Sequence, residues 1–477
     1  MTEDLVLVRK YGGESVDITA GAFAMHECDA QLTRLAVVSA FSGVTDQLFS
    51  LVRKGESQGL ALTDFDAIVD RSCALLDVAS RTTADCVRDQ ISAKLKHVLD
   101  THRLETNPLI REDIVIGLGE RISASVVAGH WNHLAAQERF VAVDLGELVS
   151  PLFLSGNKQD YLFTSLEGAL QRWLQPVLAA GKTPVITGYM GVLPGGIMAH
   201  MDRGYSDSTA ILVARALLGL GSAERRVRVE ICKTVAGIFS ADPNLFKFDK
   251  NPLLPEEDPD MPSAVLRPEI TKSLAARGAS SGVKALNARA AAQLEQYPRI
   301  TARVRHTAHP DAPYTEIVDE LSSAETPGIR VVTGKLQRRI TLRNTSALDS
   351  KNWLANIFSV TDKAGVSVNV VESPDNTCSI WVDEDTRKVA LVTGGLKEYG
   401  DIVNSNVVGL ITCLEDGIRS VAESNRDVVK VLTILMDAKI NVIDSSASSN
   451  GTITLTVDKQ DLVRAIRAVH SKAVALK

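Results

Sequence analysis

The chain has 477 residues, 45% of them hydrophobic, 23% charged and 5% aromatic, with a formal net charge of −6. That is the profile of a soluble globular protein of about three domains. No basic run or aromatic-basic interleaving points to nucleic acid, and no stretch approaches the apolar length of a membrane span. Cys28, Cys73, Cys86, Cys232, Cys378 and Cys413 are scattered, with no histidine at metal-ligand spacing. A disulfide framework and a structural zinc site are therefore not expected, and reduced thiols in a cytoplasmic protein are.

Leu5 to Val8 reads as a buried first strand, with neither the basic region nor the long apolar core of a signal peptide. Lys10-Tyr-Gly12-Gly13-Glu14-Ser-Val16 follows at once. Two glycines after a strand let a ligand approach the backbone, and a lysine beside them suits phosphate; a strand-end turn with a solvated lysine has the same pattern. Leu35 to Val38 reads as a second strand, ending in a polar loop, Ser39 to Asp46, where open α/β sheets collect ligands.

A helical region is expected from Asp64 to Glu105, and a third strand at Ile114 to Ile116, running into Gly117-Leu-Gly119-Glu120-Arg121-Ile122. Ile122 takes the third glycine position of the dinucleotide fingerprint, which argues against a nicotinamide enzyme. Glu120 suits a substrate ammonium, or simply a surface helix start.

Phe140 to Val143 and Pro184 to Ile186 read as further strands. The second leads into Thr187 to Leu218, a glycine-rich bend followed by an apolar, helix-periodic segment from Ala210. Ser206, Asp207, Ser208 and Thr209 crowd the helix start, so one of them is expected to cap it. With Arg203 alongside, the stretch fits an anion site as well as an ordinary loop before an ordinary helix. Val227 to Ile231 reads as another strand before Lys233-Thr234, Phe239 and Asp242. Asp249 to Pro262 is acidic and proline-rich, an expected exposed insertion, and Ala275 to Leu294 is an expected helical segment carrying Lys284. Strand and helix alternate throughout this half, which predicts a parallel sheet with helices on both faces.

From His306 to Pro327 a polar, proline-containing linker is expected, and beyond it an internal repeat. From Ala364 and from Ala438 the chain runs in register with itself, 74 residues apart. Each copy reads as helix, tight turn, β-branched strand, polar loop and a further strand, Cys378 to Val382 and Thr452 to Val457. Two small βαββαβ units fit, the second borrowing its missing strand from Ile329 to Val332.

Taken in order, these motifs resemble the aspartate kinase family, an amino-acid-kinase fold followed by two ACT domains. Lys10 to Val16 resembles K-F-G-G-T-S-V, and Ser39 with Ser42 to Asp46 its second loop. Gly119-Glu120 resembles S-x-G-E, and Arg203-Gly-Tyr-Ser-Asp-Ser-Thr-Ala210 resembles G-R-G-G-S-D-x-T-A. Val235 to Pro243 resembles V-x-G-I-Y-T-A-D-P, and Gly282 to Leu286 resembles G-A-K-V-L-H-P. The resemblance implies a three-layer α/β/α sandwich of the carbamate-kinase-like kind with a mainly parallel sheet (1–306), a linker (307–336), and ferredoxin-like ACT units at 337–404 and 405–477. It implies ATP, Mg²⁺ and L-aspartate as ligands, 4-phospho-L-aspartate as product, an amino-acid effector at the ACT units, and a homodimer or homotetramer. No fused homoserine dehydrogenase is expected.

The roles carried over are these. Lys10, Lys284 and Asp207 serve the transferring phosphoryl group, with Asp207 orienting the lysines and Mg²⁺. Ser39, Glu120, Arg203 and Ser206 hold the amino acid. Gly12, Gly13, Lys233, Thr234, Phe239, Asp242 and Lys284 hold the nucleotide. This chain departs from the pattern at Glu14 (threonine in the motif), Asp202 and Tyr205 (glycines), Cys232-Lys233-Thr234 (W-T-D), Asn244 (arginine) and Asn287-Ala288 (histidine-proline). Ser373-Pro374-Asp375 replaces T-S-E in the first repeat. These differences leave open a paralogue acting on a related carboxylate and a non-catalytic amino-acid sensor.

Overall fold

The computed structural model describes residues 4–29, 31–58, 60–77, 81–105, 108–148, 159–189, 204–246, 264–283, 285–322, 328–345, 350–374, 376–384, 386–417 and 421–474. Contacts divide the chain into two units. The first is Met1–Ile238, Leu266–Ala279 and Lys284–Leu321, and the second is Phe239–Val265, Ser280–Val283 and Ser322–Lys477. No helix of the described residues is long and apolar enough to cross a membrane.

The first unit runs β1 (Leu5–Tyr11), α1 (Gly13–Asp17), α2 (Thr19–Glu27), β2 (Thr33–Val38), α3 (Val44–Gln58), α4 (Asp66–Asp77), α5 (Arg81–Leu104), α6 (Pro108–Ile116), α7 (Leu118–Leu134), β3 (Phe140–Val143) and α8 (Leu145–Leu148). It continues with α9 (Gln159–Ala179), β4 (Thr183–Thr187), α10 (Ser206–Gly219), β5 (Arg226–Lys233), β6 (Glu269–Thr271), α11 (Lys272–Ser280), α12 (Ala288–Glu295), β7 (Ile300–His306) and β8 (Thr315–Val318). The eight strands form one sheet in the order β3-β4-β2-β1-β5-β7-β8-β6. All neighbouring pairs are parallel except β7 with β8.

β1 lies between β2 and β5, with Tyr11 level with both Val38 and Cys232. Strand order reverses there, so the loops after β1, β2 and β5 diverge and leave a crevice at their carboxyl ends. Side-chain alternation assigns the two faces. Tyr11, Ala36, Val38 and Cys232 join one apolar cluster with α7, whereas Lys10 reaches Asp207 of α10 on the other face.

Three expectations change. Ile114 to Ile116 is not a strand but the end of α6, packed directly before α7. Pro108 at the first helical position and the polar Arg111-Glu112-Asp113 turn favour a helix there. The expected helix from Ala275 to Leu294 is two helices, broken where Gly282 takes a left-handed φ of 106° and Asn287 caps α12. The expected linker contains β8, which pairs antiparallel with β7 and parallel with β6. The acidic insertion 249–262 lies outside the described residues.

Beneath β1 the sheet carries a buried ion network. The Arg9 guanidinium, 0% exposed, donates to Glu230 Oε2 at 2.7 Å and to the His26 carbonyl at 2.9 Å, and also pairs with Asp29. Arg305 reaches the other Glu230 oxygen at 3.1 Å. Burial, aided by Arg9, Arg34 and Arg139, holds the His26 imidazole well below its usual range, so it stays neutral against Trp131, 5.0 Å away. Removing one partner of a buried pair leaves an uncompensated charge. Arg9→Met should therefore cost about 3–5 kcal/mol, read as a fall in the denaturant midpoint.

The second unit contains β9 (Gly328–Arg343), α13 (Ser350–Lys363), β10 (Val368–Glu372), β11 (Thr377–Asp383), α14 (Thr386–Leu396), β12 (Asp401–Asp416), α15 (Val421–Asp437), β13 (Val442–Ser448), β14 (Thr452–Asp458) and α16 (Leu462–Ala473). Its six strands form one sheet, β10-β11-β9-β12-β14-β13. The two βαββαβ repeats are not separate sheets, because both share the 16-residue strands β9 and β12. Ile329 to Val332 belongs to β9, with Ile329 opposite Glu415 and Val332 opposite Cys413 of β12. Each repeat keeps its own core, one around Trp353, Ile357 and Ile380, the other around Val431, Leu435 and Ile466. Part of the sequence before the repeat joins the second core: Ala241, Leu245 and Phe246 pack into it, and Ser240 Oγ meets His470 Nε2 at 2.8 Å.

The helix-to-strand turns of the two repeats match in conformation but not in residue. Gly365 has φ 60° and its counterpart Lys439 has φ 55°. A side chain in the left-handed region is disfavoured, so Lys439→Gly should stabilise by up to about 1 kcal/mol, measurable as a higher melting temperature.

Candidate active site

The crevice beside β1 is built from strand ends. Lys10, the penultimate residue of β1, is 5% exposed, and its ammonium lies 2.8 Å from Asp207 Oδ1 in the first turn of α10. The second Asp207 oxygen accepts the Asn287 backbone N–H at 2.9 Å. Burial alone would raise this carboxylate, but Lys10 and Lys233 hold it below its ordinary range, so it stays ionised.

Ser206, Asp207, Ser208 and Thr209 are all buried, yet none caps α10. The residue before the helix is Tyr205, and the polar side chains of the first turn bond elsewhere. Thr209 Oγ1 donates to the Gly188 carbonyl at 2.5 Å, and Ser206 Oγ lies 2.8 Å from Ser39 Oγ. The Ser39 carbonyl in turn accepts Ser123 Oγ of α7 at 2.7 Å. The start of α10, the end of β2 and the start of α7 are thereby tied together.

Glu120 enters from the first turn of α7 and is 6% exposed. Its Oε1 accepts the Tyr205 hydroxyl at 3.2 Å, while its Oε2 is buried without a hydrogen-bond partner. Burial pushes the carboxyl up to about 7. An unpaired, desolvated carboxylate oxygen costs free energy that a bound cation recovers.

On the other side of β1, Lys233 ends β5, and burial, reinforced by Lys10, lowers its ammonium to about 8 while Asp207 opposes the shift. Thr234 Oγ1 donates to Glu14 Oε2 at 2.6 Å, so the acid that departs from the motif ties α1 to the loop after β5. Gly13 is required by packing: a Cβ there would meet the Ala40 carbonyl at 2.9 Å. At Gly12 the same atom would meet only the Lys10 ammonium, at 3.8 Å, which leaves the backbone open to a ligand.

Among the residues the sequence singles out, the first unit therefore gathers Lys10, Gly12, Gly13, Ser39, Glu120, Ser206, Asp207, Lys233 and Thr234. Arg203 and Lys284 lie outside the described residues. Phe239 and Asp242 belong to the second unit, where Asp242 Oδ1 accepts the Asn244 N–H at 2.9 Å. Three further residues contribute: Tyr205 and Asn287, which the sequence marks only as departures from the motifs, and Thr307, which it does not mark. Asn287 anchors Asp207, and Tyr205 contacts Glu120. Thr307 joins two loops, its N–H donating to the Lys233 carbonyl at 2.7 Å and its hydroxyl to Ser15 Oγ at 2.7 Å. Its place directly after β7 was the available signal, because strand ends line such crevices. The chemistry on offer is two ammoniums and exposed backbone for phosphate, and a carboxylate for a cation.

The model of the amino acid kinase family matches residues 6–295. The chain belongs to the amino acid kinase family. This family member is similar over nearly its whole length to curated relatives. The aspartokinase of Schizosaccharomyces pombe is 24% identical over 477 residues, 94% of this chain and 84% of that protein. The chloroplastic aspartokinase 2 of Arabidopsis thaliana is 22% identical, covering 98% and 84%. Among solved structures, E. coli aspartokinase III in complex with aspartate and ADP aligns with a TM-score of 0.72 at 21% identity, covering 98% of this chain and 99% of that one. The same enzyme with lysine and aspartate gives 0.72 at 20% identity, covering 98% and 100%. These likenesses establish the fold, a mainly parallel kinase sheet followed by an ACT-like region.

Proposed function

We propose that the chain is an ATP-dependent aspartate kinase, transferring the γ-phosphoryl group of ATP to the side-chain carboxylate of L-aspartate. The observation that carries the reading is one crevice holding both halves of the chemistry: the Lys10–Asp207 pair with Lys233 for phosphate, and Glu120 with an unpaired oxygen for an ammonium. The aspartokinase relatives, and the aspartate and ADP bound to a structural neighbour, support the same substrates.

In the reaction one carboxylate oxygen of L-aspartate forms a bond to the γ-phosphorus as the bond to the β-bridging oxygen breaks and ADP leaves. Glu120 pairs with the substrate ammonium, and Ser39 and Ser206 present hydroxyls at the ends of the elements beside it. Lys10 and Lys233 neutralise negative charge on the phosphoryl oxygens, and Asp207 fixes the Lys10 ammonium at the end of β1. A carboxylate nucleophile is already ionised near pH 7, so positioning and charge stabilisation suffice without a general base. Arg203 and Lys284 take the substrate-carboxylate and phosphate roles that the motif resemblance gives them.

Mg²⁺ binds through one or two carboxylates plus substrate phosphates, not through an all-protein cage. Asp207 fits that requirement, and among the described residues no cluster of three or more acidic, histidine or cysteine side chains forms a dedicated metal site. Asp207 would hold the ion beside the nucleotide phosphates, where the ion supplies further charge neutralisation. Binding of an amino-acid effector and self-association through the second unit belong to the same proposal. The outer strand β13 and the apolar Val429 and Met436 of α15, 64% and 74% exposed, support association.

Hydroxylamine trapping of the acyl phosphate tests the proposal. With ATP and L-aspartate the protein should yield aspartate hydroxamate, and product only with another acid would reassign the acceptor.

A further inference from the structure

We infer that Tyr205 is the residue that positions Glu120 and limits the length of the acceptor amino acid, an inference that rests on the aspartate kinase reading. Three observations converge on it. Tyr205 is 5% exposed directly before α10, so a buried ring stands beside Glu120 where the resembled motif has a glycine. Its hydroxyl donates to one Glu120 oxygen, at 3.2 Å, and leaves the other buried and unpartnered. A second phenol, Tyr189, is 0% exposed with an unpartnered hydroxyl, and interacts electrostatically with both Glu120 and Tyr205.

The arrangement is selective in a simple way. The Tyr205 hydroxyl on Oε1 helps to fix the Glu120 carboxylate, with the Ala40 N–H also acting on it, and Oε2 keeps acceptor capacity for an incoming ammonium. The Tyr205 ring is buried beside that carboxylate. Together these suit a short amino dicarboxylate such as L-aspartate, and exclude a longer one whose second carboxylate must still reach the phosphoryl group. Tyr205 touches neither reacting atom; it acts through Glu120.

The test combines two variants and two readouts. Tyr205→Phe keeps the ring and removes only the hydroxyl. The other groups around the pair stay in place: Lys10 from β1, Asp113 from α6, Arg121 from α7 with its partner Asp144 at 2.8 Å, and Tyr189 after β4. Loss of one hydrogen bond to a charged group should raise KM for L-aspartate about tenfold with kcat nearly unchanged. Because that hydrogen bond favours the ionised form of Glu120, the acid limb of kcat/KM should move to higher pH. Tyr205→Gly, which removes the ring, should raise the kcat/KM of L-glutamate relative to L-aspartate.

Calorimetric binding of L-aspartate across pH reads the same contact without turnover. Wild-type protein that binds L-aspartate but makes no hydroxamate overturns the reaction alone. An unmoved acid limb and unchanged KM in Tyr205→Phe overturn the positioning role, and unchanged glutamate selectivity in Tyr205→Gly overturns the length limit. Wild-type protein that does not bind L-aspartate overturns both readings.

Discussion

Lys10→Ala should lower kcat for aspartate-dependent phosphoryl transfer by about 10²–10³-fold while the protein remains folded. Lys10 forms a direct 2.8 Å ion pair with the carboxylate of α10, and it stands at the end of the central strand, beside the open backbone of Gly12. Its loss removes a positive charge from the point where negative charge gathers in the transition state. It also leaves the buried Asp207 carboxylate with only Lys233 and the Asn287 N–H to hold its charge. Asp207→Asn should cost a comparable factor, because the Lys10 ammonium then loses its anchor. The two residues act as a unit, so the double variant should be much less impaired than the product of the single effects. Steady-state kinetics on the four proteins, with far-UV circular dichroism as the check on folding, measures this coupling.

The second large effect is on pH dependence. Glu120, raised to about 7 by burial, binds the substrate ammonium only when ionised, so kcat/KM for L-aspartate should rise as pH increases through about 7. Lys233, lowered by burial to about 8, loses its charge above that pH, and kcat/KM for ATP should fall there. Activity at limiting substrates is therefore expected to peak between the two. Glu120→Gln should abolish the acid limb and raise KM for L-aspartate about 100-fold, with little change in KM for ATP. An acid limb that survives in Glu120→Gln would assign the titration to another group.

Five strands of the first sheet were legible because they are short apolar runs bounded by glycine and polar loops: Leu5 to Val8, Leu35 to Val38, Phe140 to Val143, Pro184 to Ile186 and Val227 to Ile231. The same rule misplaced Ile114 to Ile116, since three apolar residues cannot distinguish a strand from the buried end of a helix. β6 and β8, three and four residues long, were missed because their partners, not their own patterns, make them strands, and the seven-residue β7, interrupted by Arg303 and Arg305, was missed as well. The 74-residue repeat pointed to two similar helix-and-strand stretches, but not to β9 and β12 running as 16-residue strands through one shared sheet.

At the site, residue types that carry charge were readable: Lys10, Glu120, Asp207 and Lys233. What was not readable is how the fold joins distant residues. The Asn287 amide reaches Asp207 from 80 positions away, Thr307 reaches Ser15 from 292, and the Tyr205 hydroxyl reaches Glu120 from 85. The expected cap on α10 failed for a related reason, because its polar first turn is committed to the site and to Gly188.

The most direct measurement follows the oxygen atom. L-Aspartate labelled with ¹⁸O in its side-chain carboxylate is incubated with ATP, Mg²⁺ and the protein, and the product is cleaved at its carbonyl by hydroxylamine. If that carboxylate attacks the γ-phosphorus, the phosphate released carries one ¹⁸O. Phosphate free of label, released at an aspartate-dependent rate, would mean that water accepts the phosphoryl group, and would contradict the assignment of a carboxylate kinase.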